Sequence, residues 1–391
     1  MSAKLQGRYF GKGGPLFRLY FITSLLTLVT LGIYRFWART RMRKYIWSAT
    51  TADSDSFEYT GTGLEKFLGF LVAIVILAIY LGIVQMVLFY FGLNLFVEPQ
   101  NEIQALTQIG AIYITLLAVL PLMLFAQYRA RRYKMARTRW RGIRFGMESA
   151  AWGYAARAMG YYLLTLISLG VLFPLATFRL EKYMADRSWY GDAQFEQKGR
   201  WQDLYAGMKH VLIGLIIIGA GATLLVMGVV GVFGIILLIV GCIWVMIGFV
   251  FYRVYAFNYL TKHKHLDGVV TFGSNVETAR IVLIVVVGSL VIGFLMSVIF
   301  AIVASIVTTM TSALVAGQVA LIGVIGFLYV GAFLVAGGLS LVMITQPILE
   351  HAVNKIAVFN ADHLDTIRQR AADKGADAEG FADALDVGGA I

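Results

Sequence analysis

The sequence predicts an all-α polytopic membrane protein of six to eight membrane segments, built on an internal repeat. Three observations predict it. The 391 residues are 59% hydrophobic and only 14% charged, where soluble domains carry about 25% charged residues. The apolar residues gather in long runs, with a mean hydropathy of +0.76. The Lys and Arg residues gather between those runs. This composition excludes a soluble globular enzyme, a disordered chain and a secreted disulfide scaffold. The single cysteine, Cys242, can make neither an internal disulfide nor a thiolate metal site.

A helix needs about 20 apolar residues to cross the hydrocarbon of a bilayer. Eight stretches meet or approach that length: 19–37, 67–96, 104–126, 158–178, 211–230, 231–252, 281–306 and 317–346. The fifth and sixth are contiguous and far too long for one crossing, so the chain is expected to turn near Gly228, Gly231 and Gly234. No run alternates polar and apolar residues, so a β-barrel is not expected. Residues 371–391 carry Asp373, Asp377, Glu379, Asp383 and Asp386 and read as a solvated, disordered acidic tail. The remaining 1–370 read as one polytopic domain.

Charge placement bears on the threading. Residues 127–157 hold nine Lys and Arg, 179–210 hold six and 38–66 hold five, whereas 97–103 and 307–316 hold none. Basic residues stay on the cytoplasmic side of short loops. If all eight runs cross, the 38–66 and 127–157 stretches fall outside. If 19–37 and 158–178 turn back without crossing, every Lys and Arg falls inside. The chain then forms three transmembrane hairpins, 67–126, 211–252 and 281–346, with both termini cytoplasmic. Gly32 in the first suspect run, and Gly170 with Pro174 in the second, supply the means to bend.

Those two runs are copies. Residues 25–45 read LLTLVTLGIYRFWARTRMRKY and residues 163–183 read LLTLISLGVLFPLATFRLEKY, at a constant offset of 138. The match includes Gly32 with Gly170, Lys44-Tyr45 with Lys182-Tyr183, and Phe57-Glu58 with Phe195-Glu196. The copies span about 7–127 and 142–253, with 281–346 as a third hairpin. A fainter echo places Tyr128-Arg129 before Phe145-Gly146, and Tyr252-Arg253 before Phe272-Gly273. The Phe-Gly pieces read as short extended turns at the membrane interface. The Thr-Leu-Gly-Ile-Tyr run, Trp37, the basic stretch after it, Lys44-Tyr45 and Phe57-Glu58-Tyr59-Thr60-Gly61-Thr62-Gly63 together resemble the YjgN-like family of bacterial inner-membrane proteins. Two departures are Phe36-Trp37 where the family has Pro-Trp, and Lys44-Tyr45 where it has Arg-Tyr. The resemblance implies a multi-pass bacterial inner-membrane location and supplies no activity or site residues.

Chemistry is sparse. No ionisable residue sits mid-run, which argues against a proton relay or voltage sensor. His263 and His265 flank Lys264, a poor metal site. No H-E-x-x-H, G-x-S-x-G or phosphate-loop pattern occurs, so neither an enzyme nor a cofactor is expected. The densest feature is Arg129, Arg131, Arg132, Lys134, Arg137, Arg139 and Arg141, interleaved with Tyr128, Tyr133 and Trp140. Beside a membrane such a stretch anchors topology or attracts anionic lipid headgroups; nucleic acid is not expected. Ser289, Gly293, Ser297, Ala301 and Ser305 form a small-residue face expected to pack on another helix. Two function classes stay open. One is a bundle that moves a small solute or lipid. The other is a non-transporting membrane component that binds anionic lipid or a protein partner.

Overall fold

A computed structural model describes residues 4–228, 231–313 and 318–370. The acidic stretch 371–391 lies outside the described residues. Five helical pairs alternate along the chain with short strands. The pairs are α1 (Gly13–Val29) with α2 (Arg35–Ser48), α3 (Gly63–Tyr90) with α4 (Glu102–Ala136), and α5 (Ala151–Ile167) with α6 (Phe173–Ala185). Next come α7 (Lys209–Val226), entered through a 3-10 turn at Trp201–Met208, and α8 (Gly231–Lys262). Last come α9 (Thr278–Ala313) and α10 (Gln318–Ser340), the latter continuing through a π-helical turn into α11 (Gln346–Asn354).

The all-α expectation is wrong. Among the described residues, ten strands of three to five residues interrupt the helices: β1 (Leu5–Tyr9), β2 (Thr50–Ala52), β3 (Asp55–Tyr59), β4 (Thr138–Trp140), β5 (Ile143–Met147), β6 (Ser188–Tyr190), β7 (Ala193–Gln197), β8 (Lys264–Leu266), β9 (Val270–Ser274) and β10 (Ile356–Phe359). They close an antiparallel barrel in the order β1-β10-β9-β8-β7-β6-β5-β4-β3-β2. These strands fall inside the polar connections and are far shorter than the roughly 9–11 residues a membrane-crossing strand needs. The pieces read from sequence as extended turns are therefore ladder strands. Their turns are built for it: Arg141-Gly142 and Asp267-Gly268 each place two successive residues at positive φ, the conformation of a tight two-residue hairpin.

Among the described residues, six helical stretches are long and apolar enough to cross a membrane: Gly63–Tyr90, Glu102–Ala136, Trp201–Val226, Gly231–Lys262, Thr278–Thr308 and Ile325–Asn354. In chain order they overlap the apolar runs within 67–126, 211–252 and 281–346. The two suspect runs do break. Leu31 and Gly32 turn at φ +50° and +93°, and Leu169 and Gly170 at +49° and +89°. α1 has 17 residues, about 26 Å of rise, short of the roughly 30 Å hydrocarbon.

Contacts divide the chain into two units. The first holds Met1–Phe57, Asp203–His263 and Val270–Asp362. Within it α7 and α8 pack backbone to backbone. A Cβ on Gly241 would stand 2.9 Å from the Ile218 nitrogen, and one on Gly221 2.9 Å from the Gly234 oxygen. Gly214 and Gly221 on α7, and Gly234, Gly241 and Gly248 on α8, recur every seven residues, so small residues hold this seam closed. The expected small-residue face of α9 packs differently. Ser289, Gly293, Ser297, Ala301 and Ser305 are exposed, and a Cβ on Gly293 meets nothing within 4 Å. α9 turns Gly288, Met296 and Val303 inward instead, with Gly288 against Ile344.

The second unit holds Glu58–Gln202, Lys264–Val269 and His363–Ile391. Its core joins α4, α5 and α6 through Leu124, Tyr128, Tyr154, Ala158, Leu180 and Tyr183, with Met147 from β5. The rings of Tyr128, Tyr154 and Tyr183 stand 5.6–6.1 Å apart, centroid to centroid.

Candidate functional site

The second unit carries a cleft of about 340 Å³ between the basic C-terminal part of α4 and the start of α5. Tyr128, Arg129 and Arg132 line one wall, and Ser149, Ala150 and Trp152 the other. Helical spacing explains the first wall: residues three and four apart share a face, which groups Phe125, Tyr128, Arg129 and Arg132. The second wall is fixed by tyrosine hydroxyls. Tyr128 Oη donates to the Glu148 carbonyl at 2.8 Å, and Tyr183 Oη donates to the Ala150 carbonyl at 3.1 Å. Buried hydroxyls need such partners, so the core that orders the helices also sets the loop opposite the arginines.

Arg132 is only 6% exposed. Its Nε donates to the Met147 carbonyl at 3.1 Å, pinning the end of β5. Arg129 is half-buried and lies 5.8 Å over the Phe125 ring. Trp152 is 62% exposed and its ring sits 4.6 Å from that of Phe125. Indole at a membrane interface keeps its apolar body in lipid and its N–H near headgroups. The cleft thus places two guanidinium groups beside an aromatic, lipid-compatible rim. That arrangement attracts a phosphate or another oxyanion.

The remaining residues of the basic stretch go elsewhere, because the chain rounds a helix end and then a hairpin. Arg131 points away from the cleft and pairs with Glu181 of α6 at 2.6 and 2.9 Å. Lys264 of β8 reaches the same carboxylate at 3.1 Å. Burial alone pushes the Glu181 carboxyl up; Arg131 and Lys264 outweigh it and hold the group well below the usual carboxylate range. Arg137 Nε lies 3.2 Å from Glu65. Arg139 sits on β4 opposite Arg144. Arg141 pairs with Asp365 at 2.9 Å and stacks over Trp140. Lys134 is half-buried near the end of α4. Of the seven basic residues singled out from sequence, Arg129 and Arg132 line the cleft. Sequence reasoning missed Trp152 and the Ala150 turn, which follow β5 by a spacing readable only once the strand is known. Among the described residues, no group of three or more His, Cys, Asp or Glu is placed to hold a metal ion.

Among the described residues, six helical stretches long and apolar enough to cross a membrane define the class, a multi-pass membrane protein. The chain belongs to the family described as bacterial protein of unknown function (DUF898), whose sequence pattern matches residues 4–384. It is similar to the inner membrane protein YjgN of Salmonella typhimurium, 26% identical over 175 residues, covering 42% of this chain and 39% of the relative. It is similar also to the YjgN proteins of Escherichia coli O157:H7 and K12, 26% and 25% identical over 169 residues. Those matches cover 43% of this chain and 37% of each Escherichia coli protein. The chain thus spans about two fifths of the length of these curated relatives. The YjgN-like resemblance read from the sequence holds. No solved structure matches the chain.

Proposed function

We propose that this is an inner-membrane protein with both termini cytoplasmic that binds anionic phospholipid headgroups in the Arg129 cleft. The observation that carries the reading is the pairing of Arg129 and Arg132 with Trp152 in one cleft at a helix end. Charge placement supports the orientation: the basic connections lie on one side of the three hairpins and the 97–103 connection, with Glu98 and Glu102, on the other. A basic residue near an anionic membrane surface contributes about 1 kcal/mol, or about fivefold in affinity.

The test compares Arg129→Gln with Arg141→Gln, since Arg141 carries the same charge but pairs outside the cleft. Phospholipid retained by the purified protein should fall for Arg129→Gln and stay for Arg141→Gln. Equal loss would mean diffuse attraction, and no loss would remove the cleft as a lipid site. The transport reading draws on a separate observation, the matched helix breaks at Gly32 and Gly170, since broken helices line transporter sites. Lipid scrambling or solute uptake by reconstituted vesicles distinguishes it from binding alone.

A further inference from the structure

A second cleft repeats the first. Residues 125–153 align with 175–203 at a constant offset of 50, matching Arg129 with Arg179, Tyr133 with Tyr183, Arg137 with Arg187 and Phe145 with Phe195. Strands follow the same offset: β4 matches β6, and β5 matches β7. The second cleft, of about 430 Å³, is lined by Phe178, Arg179 and Lys182 where the first has Tyr128, Arg129 and Arg132. Arg200 and Trp201 take the places of Ala150 and Ala151. Lys182 Nζ donates to the Gln197 carbonyl at 2.6 Å, as Arg132 Nε does to Met147. Equivalent side chains hold equivalent strand ends.

The differences between the clefts concern charge. Arg200 replaces an alanine, and Lys198 replaces Glu148. Four cations, Arg179, Lys182, Lys198 and Arg200, face one lining carboxylate, Glu196. Glu196 bridges Lys198 at 3.3 Å, and Lys182 also meets Asp186 at 3.0 Å. Arg179 and Arg200 are exposed. We propose that this cleft is a second phospholipid headgroup site, and that it takes a phosphomonoester headgroup carrying more than one negative charge. The Arg129 cleft, with two cations, takes a singly charged phosphodiester. This proposal rests on the Arg129 cleft being a lipid site. Multiple guanidinium and ammonium donors favour the higher phosphate charge.

Intact-mass measurement of the detergent-solubilised full chain counts bound lipids. Phosphatidic acid, phosphatidylglycerol and phosphatidylcholine are offered in turn, with inorganic phosphate as competitor. The wild type should retain two anionic lipids and no phosphatidylcholine. Arg179→Gln with Arg200→Gln should retain one and lose the preference for phosphatidic acid. Arg129→Gln should retain one and keep that preference. Glu196→Gln, which removes the opposing charge, should tighten the second lipid about fivefold. If the Arg179/Arg200 variant keeps two lipids while Arg129→Gln keeps one, the second site is wrong and the first stands. If Arg129→Gln keeps two while the Arg179/Arg200 variant keeps one, the first reading fails. Binding of inorganic phosphate with no lipid retained overturns the lipid assignment for both. Arg179→Lys with Arg200→Lys preserves charge and must keep the second lipid; its loss there would mark a structural role instead.

Discussion

Arg131 and Glu181 occupy the same place in two successive repeat units and grip each other, the guanidinium donating to both carboxylate oxygens at 2.6 and 2.9 Å. A charge reversal at one repeat position has become a bond between α4 and α6. Lys264 makes a third contact at 3.1 Å. Removing the carboxylate leaves two cations facing each other. Breaking a fully buried pair costs about 3–5 kcal/mol. Here the side chains are 30% and 21% exposed, so Glu181→Gln should destabilise the solubilised protein by about 2 kcal/mol. Arg131→Gln should cost a similar amount, and the double variant less than the sum of the two. Additive losses, read by thermal unfolding in detergent, would show that the pair is not coupled.

The same carboxylate sets a pH dependence. Glu181 titrates below its ordinary value of 4.5 because Arg131 and Lys264 outweigh the burial that would raise it. A carboxyl depressed in the folded state binds fewer protons than in the unfolded state. Its stabilisation is therefore complete above about pH 5 and is lost as pH falls through the ordinary value toward the folded one. Glu277 is lowered in the same direction, chiefly by its hydrogen bond from Lys355, so wild-type melting reports both. The difference in melting temperature between wild type and Glu181→Gln isolates the first. That difference should shrink between pH 5 and pH 3. A constant difference across this range would assign the effect to packing instead of charge.

The hairpins and the breaks were legible because hydrophobic length and glycine are strong local signals. Gly32 and Gly170 matched at the 138-residue offset, and both turn the chain. The barrel was not, because strands of three to five residues are too short for alternation to emerge. One local signal was present: Asp267-Gly268, between His265-Leu266 and Val269-Val270, has the form of a hairpin turn. The 50-residue repeat is faint in the sequence because its identities are scattered and its units differ in sign where Arg131 corresponds to Glu181. Arg129 and Arg132 are legible as part of a basic stretch, but a linear count of charge cannot separate residues that line a cleft from Arg131, Arg137 and Arg141, which pair with carboxylates elsewhere.

The two glycine surfaces should respond oppositely to substitution. On α8, a side chain at Gly241 would meet the α7 backbone at 2.9 Å, where nothing flexible can yield. Overpacking a close seam costs about 1–3 kcal/mol. Gly241→Val should therefore lower the melting temperature and the yield of folded protein. On α9, Gly293 has open space, so Gly293→Leu should change stability by less than about 0.5 kcal/mol. A large loss at Gly293 would mean that this face is covered by a partner outside the chain.

The orientation of the three hairpins is open to direct labelling. Cys242 is exposed, so the background carries Cys242→Ser. Ser54 lies exposed in the turn between β2 and β3, Lys198 is exposed after β7, and Glu98 is exposed between α3 and α4. Ser188, on β6, is a poor reporter because it is 2% exposed and its hydroxyl donates to the Met184 carbonyl. With both termini cytoplasmic, an impermeant thiol reagent added to intact cells should label Glu98→Cys alone. Ser54→Cys and Lys198→Cys should react only after the membrane is opened. The 97–103 connection carries no Lys or Arg, whereas 38–66 and 179–210 carry five and six, and moving such basic segments across the membrane is disfavoured. Labelling of Ser54→Cys from outside would put the helix pair α1 and α2 across the bilayer and overturn the six-crossing arrangement. Labelling of Lys198→Cys alone would do so for α5 and α6 only, separating two segments that the repeat treats as equivalent.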